Sequence, residues 1–201
     1  MSGLGWMYGA DLPLVSVTFA RDLTARELLE RMGAAPATLA ERTREEFRED
    51  FGDILHEDDA YVVTAGRYGS WAWAWEHGSW LCVDGDGLLG AVSAGTAALA
   101  LHANEKPMVE FRYAENGRLV TGLNTLRGIG PEHRTGLDPD RFDSELRALG
   151  ARPETGETGP LGLRGLFYRL AEGLGAGMER DDFLAGTVLS ARLRLRPDLA
   201  A

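Results

Sequence analysis

The stretch Ser70–Trp80, SWAWAWEHGSW, carries four of the five tryptophans in the chain, and its reading decides the fold. Trp71, Trp73 and Trp75 fall at every second position, with Ala72, Ala74 and Glu76 between them. In an extended strand, alternate side chains point to opposite faces. One face of this segment is therefore a wall of three indoles, and the other is nearly bare. Such a wall serves either as the anchor of a core or as a recognition surface. Core packing is the first expectation, because aromatic rings bury roughly 150–250 Å² each.

Working outward, Tyr61–Arg67 and Trp71–Glu76 read as two strands of a hairpin around Tyr68-Gly69-Ser70. Leu14–Ala20 is β-branched and aromatic and reads as a first strand. Thr24 with Glu27 three residues later forms a capping box, which opens a helix that Gly33 closes. Thr38–Phe51 reads as a second, largely solvated helix, capped by Thr38 with Glu41 or by Thr43 with Glu46. Leu88–Ala94 reads as a short helix, and Thr96–His102 is open between helix and strand. Met108–Ala114 places Val109, Phe111 and Tyr113 on one face and Glu110 and Arg112 on the other. Asn116-Gly117 turns that strand back into Arg118–Leu123.

Beyond Asn124 the pattern is helical, with Asp138-Pro139 opening one helix and Leu163–Leu174 forming another. Leu189, Ala191, Leu193 and Leu195 then alternate with Ser190, Arg192, Arg194 and Arg196, which favours a late strand with a charged, protective edge. The expectation is a single α+β domain over residues 1–201, with a loop or sub-boundary at 151–162. It has an antiparallel sheet of five to seven strands and helices packed mainly on one face.

The formal net charge of −10 disfavours phosphate backbones and anionic membrane surfaces and favours a basic protein partner. No run approaches the ~20 apolar residues of a membrane span. The N-terminal segment has no basic-then-apolar leader pattern. Cys82 stands alone, so neither an intrachain disulfide nor a cysteine zinc site is expected, and a reducing cytoplasm is the expected location. No cofactor is implied. Of 21 basic residues only Lys106 is lysine, a sign of a GC-rich genome.

The chemical motifs are weak. Ser93 in Gly90–Gly95 lacks the glycine two residues earlier that a nucleophile elbow needs. Asp84-Gly85-Asp86-Gly87 is a turn without the rest of a calcium loop. Gly173–Gly177 follows a helix where a dinucleotide loop follows a strand. The run from His56 to Asp59 reads as a solvated loop. No two of the four histidines share a metal-ligand spacing. Glu76 and His77 are neighbours on one strand and point to opposite faces, which separates them as an acid–base pair.

The succession GRYGSWAWAWE (66–76), SAGT (93–96) and FRYAENGRLVTGL (111–123) resembles an uncharacterised actinobacterial family of roughly 200-residue proteins, common in streptomycetes and classed as a domain of unknown function. The likeness runs from about Val15 to Leu195, and SAGT and YAENGRLV are its most specific motifs. It implies no agreed activity, cofactor or catalytic residue. The arrangement also resembles small α+β immunity proteins of bacterial toxin systems.

Two functional expectations follow. The first is a non-enzymatic cytoplasmic binding module, immunity-like or regulatory, whose acidic surface meets a basic protein. The second is a small-ligand-binding protein or enzyme with a pocket near Glu76, Trp80, Ser93 and Asn104, which stand at the ends of expected elements, and Thr96 is a further candidate binding residue.

Overall fold

Every strand of the computed structural model joins one antiparallel sheet. The model describes residues 3–8, 10, 12–57, 61–106, 108–125, 128–184 and 186–194. The strands are β1 (Leu14–Arg21), β2 (Ala40–Arg42), β3 (Val62–Tyr68), β4 (Trp71–His77), β5 (Ala97–Asn104), β6 (Val109–Glu115), β7 (Arg118–Thr125), β8 (Arg134–Thr135) and β9 (Val188–Arg192). Their spatial order is β2-β9-β3-β4-β1-β5-β6-β7-β8. The helices are α1 (Ala25–Arg31), α2 (Arg44–Phe51), α3 (Gly87–Val92), α4 (Asp143–Ala148), α5 (Gly162–Gly173) and α6 (Arg180–Leu184).

The alternation in β4 organises both layers. Trp71, Trp73 and Trp75 are all buried, in one cluster with Val15, Val17 and Phe19 of β1, Leu99 and Leu101 of β5, and Phe111 and Tyr113 of β6. Leu166, Phe167 and Leu170 of α5 and Leu146 of α4 close this face, and Phe183 of α6 packs against Trp75 at 4.6 Å between ring centroids. Trp71 Nε1 donates to Leu174 O at 3.1 Å, and Trp6 Nε1 donates to Met178 O at 2.9 Å, so both indole N–H groups are satisfied by the chain that follows α5. Gly66 of β3 lies directly opposite Trp73. A side chain there would run into the indole ring, so glycine is what lets the ring lie flat across the strand.

The opposite face is built from small residues. Ala20, Ala72, Ala74, Ala98, Ala100 and Ala114 form its floor, and Leu28 and Leu29 of α1 with Leu88, Leu89 and Val92 of α3 supply the bulk. Thr24 and Glu27 make the full capping box at the start of α1. At its other end Arg31 donates to the carbonyls of Val92 and Ala94, which ties α1 to the end of α3.

Two features correct the expectation from sequence. Among the described residues the sheet has nine strands, not five to seven. The additional pairings come from β2 and β8, three and two residues long, too short to leave a periodic signature. Helices also cover both faces, because the alanine floor is as dry as the indole wall and needs its own cover. Residues 40–42 pair with β9, so the helix expected over Thr38–Phe51 starts only at Arg44, on the Thr43/Glu46 box. β9 is flanked by β2 and β3 and is not an edge. The 151–162 segment folds back on itself through the Arg152–Glu157 bridge. Asp58, Asp59, Leu195 and Arg196 lie outside the described residues. Among the described residues, no helix is long and apolar enough to cross a membrane.

Candidate functional site

The alanine face carries one polar row. Register pairs Ser16 with His102, His102 with Glu110, and Glu110 with Asn124. On the other side Ser16 Oγ donates to Glu76 Oε1 at 3.4 Å. Glu76, Ser16, His102, Glu110 and Asn124 therefore cross five adjacent strands, β4-β1-β5-β6-β7, on one face. The first four are buried and Asn124 is exposed, so the row leads from the interior to the surface.

At the inner end Glu76 is fully occupied. Its Oε2 accepts from Ser79 Oγ and Leu81 N, both at 2.7 Å, and its Oε1 accepts from Cys82 N at 2.9 Å. The carboxylate thus folds the 79–82 turn around itself and fixes where Trp80 stands. Burial still pushes its pKa above the ordinary carboxylate range, against the pull of these donors. Cys82 Sγ lies 3.2 Å from Ser16 Oγ. Burial, then the charge of Glu76, raises the thiol well above its ordinary value, which makes it a poor nucleophile.

The outer half is different. Trp80 is 52% exposed, and its ring centroid lies 6.3 Å from that of His102. Among the described residues, neither ring nitrogen of His102 has a hydrogen-bond partner, nor has Asn104 Oδ1 or Glu110 Oε2. Asn104 is two residues along β5 from His102 and so shares its face. Arg112 Nε forms an ion pair with Glu110 Oε2 at 3.4 Å, a contact longer than an ordinary charge-assisted hydrogen bond. One terminal nitrogen of Arg112 is taken by Gly85 O at 2.8 Å and Asp86 Oδ1 at 3.1 Å. Burial lowers the pKa of His102 and raises that of Glu110, with Arg112 opposing the latter shift. The imidazole is therefore held neutral. Buried polar atoms are nearly always paired, so three neighbouring residues with unspent ones mark a place of interest.

Of the residues singled out from sequence, Glu76, Trp80 and Asn104 stand at this end of the sheet. Ser93 and Thr96 stand at the other, since β5 separates Thr96 from Asn104 by roughly 25 Å of extended chain. There, Ser93 Oγ donates to Gly90 O and accepts from Gly117 N, and Thr96 Oγ1 donates to Arg21 O at 2.6 Å. His77 points into the indole face, where its Nε2 is 3.0 Å from Thr64 Oγ1 and its ring packs on Phe47. His102 and Glu110 escaped the sequence reading. The signal is a lone histidine inside the apolar run Ala97–Ala103 and a glutamate on the face of β6 opposite Val109, Phe111 and Tyr113. Among the described residues, no three His, Cys, Asp or Glu side chains gather to hold a metal ion.

Two open concavities flank this architecture. One, of about 480 Å³, is lined by Asp86, Arg112, Arg118, Thr135 and Leu137 and includes none of the row's own residues. The other, of about 240 Å³, runs between α4 and α5 along Leu149, Leu170 and Leu174.

Fold and site together define an antiparallel-sheet protein with a polar row half covered by an indole. The chain belongs to DUF6461, a family of unknown function, whose family model matches residues 14–161. That span holds the whole row. No curated protein and no solved structure matches the chain.

Proposed function

We propose that this is a binding protein that takes a small polar ligand where Trp80, His102, Asn104 and Glu110 meet. The observation that carries the reading is a set of buried polar atoms without hydrogen bonds on His102, Asn104 and Glu110, next to the half-exposed indole that contacts His102. Leaving such a group unpaired costs roughly 1–3 kcal/mol, and a fold keeps several together where binding recovers the loss. Binding is favoured over catalysis because the reactive groups nearby are spent. Glu76 is saturated by donors, the Cys82 thiol is held protonated, and Ser93 and Thr96 bond to backbone at the far end of β5. The net charge of −10 then steers a ligand or partner of positive charge. A cytoplasmic setting in an actinobacterium is part of the same proposal, supported by the unpaired Cys82 and the arginine-for-lysine bias.

The test is a thermal-shift screen of polar metabolites on the wild-type protein and on Trp80→Ala and Glu110→Gln. A ligand at 100 times its Kd stabilises the fold by about 2.7 kcal/mol. A compound that raises the wild-type Tm and leaves both variants unmoved supports the proposal. Equal shifts in all three proteins place binding elsewhere and reject it.

A further inference from the structure

We infer that the group seated in this site is a nitrogen cation, a primary ammonium or a guanidinium on a slender stem, held between the Trp80 indole and the Glu110 carboxylate. The inference rests on the site proposed above and names what it recognises.

The unspent atoms set the chemistry. Asn104 Oδ1 and Glu110 Oε2 only accept hydrogen bonds, and a neutral His102 offers one lone pair and one N–H. Acceptors outnumber donors, so the ligand has to bring hydrogen-bond donors. Charge makes the choice narrower. Arg112 is the cation nearest Glu110, but it is shared with Asp86 and Gly85 O. Glu110, Arg112 and Asp86 together carry one net negative charge. An anionic ligand would add a second negative charge beside a buried carboxylate, and an apolar one would leave every acceptor unmet. A cation is attracted by the face of an indole as well as by the carboxylate. The stem has to be slender because the acceptor atoms are covered by protein, whereas the indole next to His102 is half-exposed. Such a group arrives either on a free small amine or as a lysine or arginine side chain of a polypeptide.

The experiment follows the Trp80 indole N–H resonance in 15N-labelled protein, assigned by its absence in Trp80→Phe. The probes are n-butylammonium, methylguanidinium, the peptide Gly-Gly-Lys-Gly-Gly, acetamide and acetate. Each is titrated to about 50 mM at constant ionic strength, a range that captures millimolar binders. We expect saturable shifts with the cations, weakened about tenfold or more by Glu110→Gln, since a buried charge loses its counter-ion. Asn104→Ala is the second variant and is expected to weaken them about threefold to tenfold, should Glu110→Gln fail to fold. Free cations binding better than the peptide assign the ligand to small amines, and the reverse assigns it to a basic polypeptide. Shifts with acetamide or acetate alone overturn the cation and leave the site standing. Silence from every probe, with no hit in the thermal screen, overturns both.

Discussion

The two faces of β4 solve the same problem in opposite ways. On one, Trp71, Trp73 and Trp75 fill the space between sheet and helices with their own rings, and α5 only completes the layer. On the other, Ala72 and Ala74 fill almost nothing, and α1 and α3 come down onto the sheet with their leucines. An indole wall is bulky and continuous, and it admits the polar pair His77–Thr64 only at its margin, where the two side chains bond to each other. An alanine floor leaves room, and at its open end the positions that would be Ala become Glu76, Ser16, His102 and Glu110. The face that contributes least volume is the one that can hold chemistry.

The largest effect belongs to the indole wall. Trp73 is wholly buried, and Trp73→Ala is expected to cost about 3–5 kcal/mol in urea unfolding. The mirrored change on the other face is Ala74→Leu, expected to cost about 1–3 kcal/mol because α1 and α3 have to back away. Equal costs would break the contrast, showing that both faces are packed by the same rule.

Next comes Glu76→Ala. The change removes the acceptor of Leu81 N, Cys82 N and Ser79 Oγ together and is expected to cost about 2–4 kcal/mol. It should also release Trp80, read as a red shift and loss of anisotropy in its fluorescence. Glu76→Gln keeps one acceptor and should fall between. A Trp80 signal indifferent to both variants would mean that the turn holds itself, without the carboxylate.

Acid separates the faces by sign. His77, on the indole side, is driven by burial from an ordinary 6.5 to about 4. A histidine depressed in the folded state lends stability above its unfolded pKa and loses it as pH falls through the folded one. The window is therefore 6.5 down to about 4, and the loss is at most about 3 kcal/mol. Glu76 and Glu110, on the alanine side, are raised by burial and run the other way. Their contribution is complete below the ordinary carboxylate range and shrinks as pH rises past it. Urea midpoints across pH should show His77→Phe flattening the acid limb, and Glu110→Gln flattening the slope above it. A parallel change in both variants would remove the distinction.

Local pattern made half of this visible. The Trp–Ala alternation, the Thr24/Glu27 capping box and the Asn116-Gly117 turn, where both residues have positive φ, are each written within a few residues. What could not be read is what distance in sequence hides. Ala40–Arg42 become a strand only because residues 188–190 arrive beside them. His102 and Glu110 become neighbours only through the register of β5 against β6, and Ser16 joins them only because β1 sits between β4 and β5. Glu76, Trp80 and Asn104 were legible as polar or aromatic residues at element ends. Ser93 and Thr96 share that signature and lie at the other end of the sheet, because element ends carry no information about which end they share.

The smallest effect is the sharpest test of why the alanine face differs. Among the described residues His102 has no hydrogen-bond partner for either nitrogen, and it is 1% exposed, so these contacts gain nothing from the imidazole's polarity. Leucine fits the same space between Ala100 and Asn104 and needs no hydrogen bonds. His102→Leu is therefore expected to stabilise the protein by about 1 kcal/mol, a rise of a few degrees in Tm, while abolishing the response of the Trp80 indole to any ligand. On the indole face the same exchange at a half-buried histidine has no such double outcome, because His77 is engaged by Thr64 and Phe47, and His77→Leu should only destabilise. A loss of stability in His102→Leu would mean that the imidazole already works for the fold, and the polar row would then be a structural seam through the alanine layer with no ligand to serve.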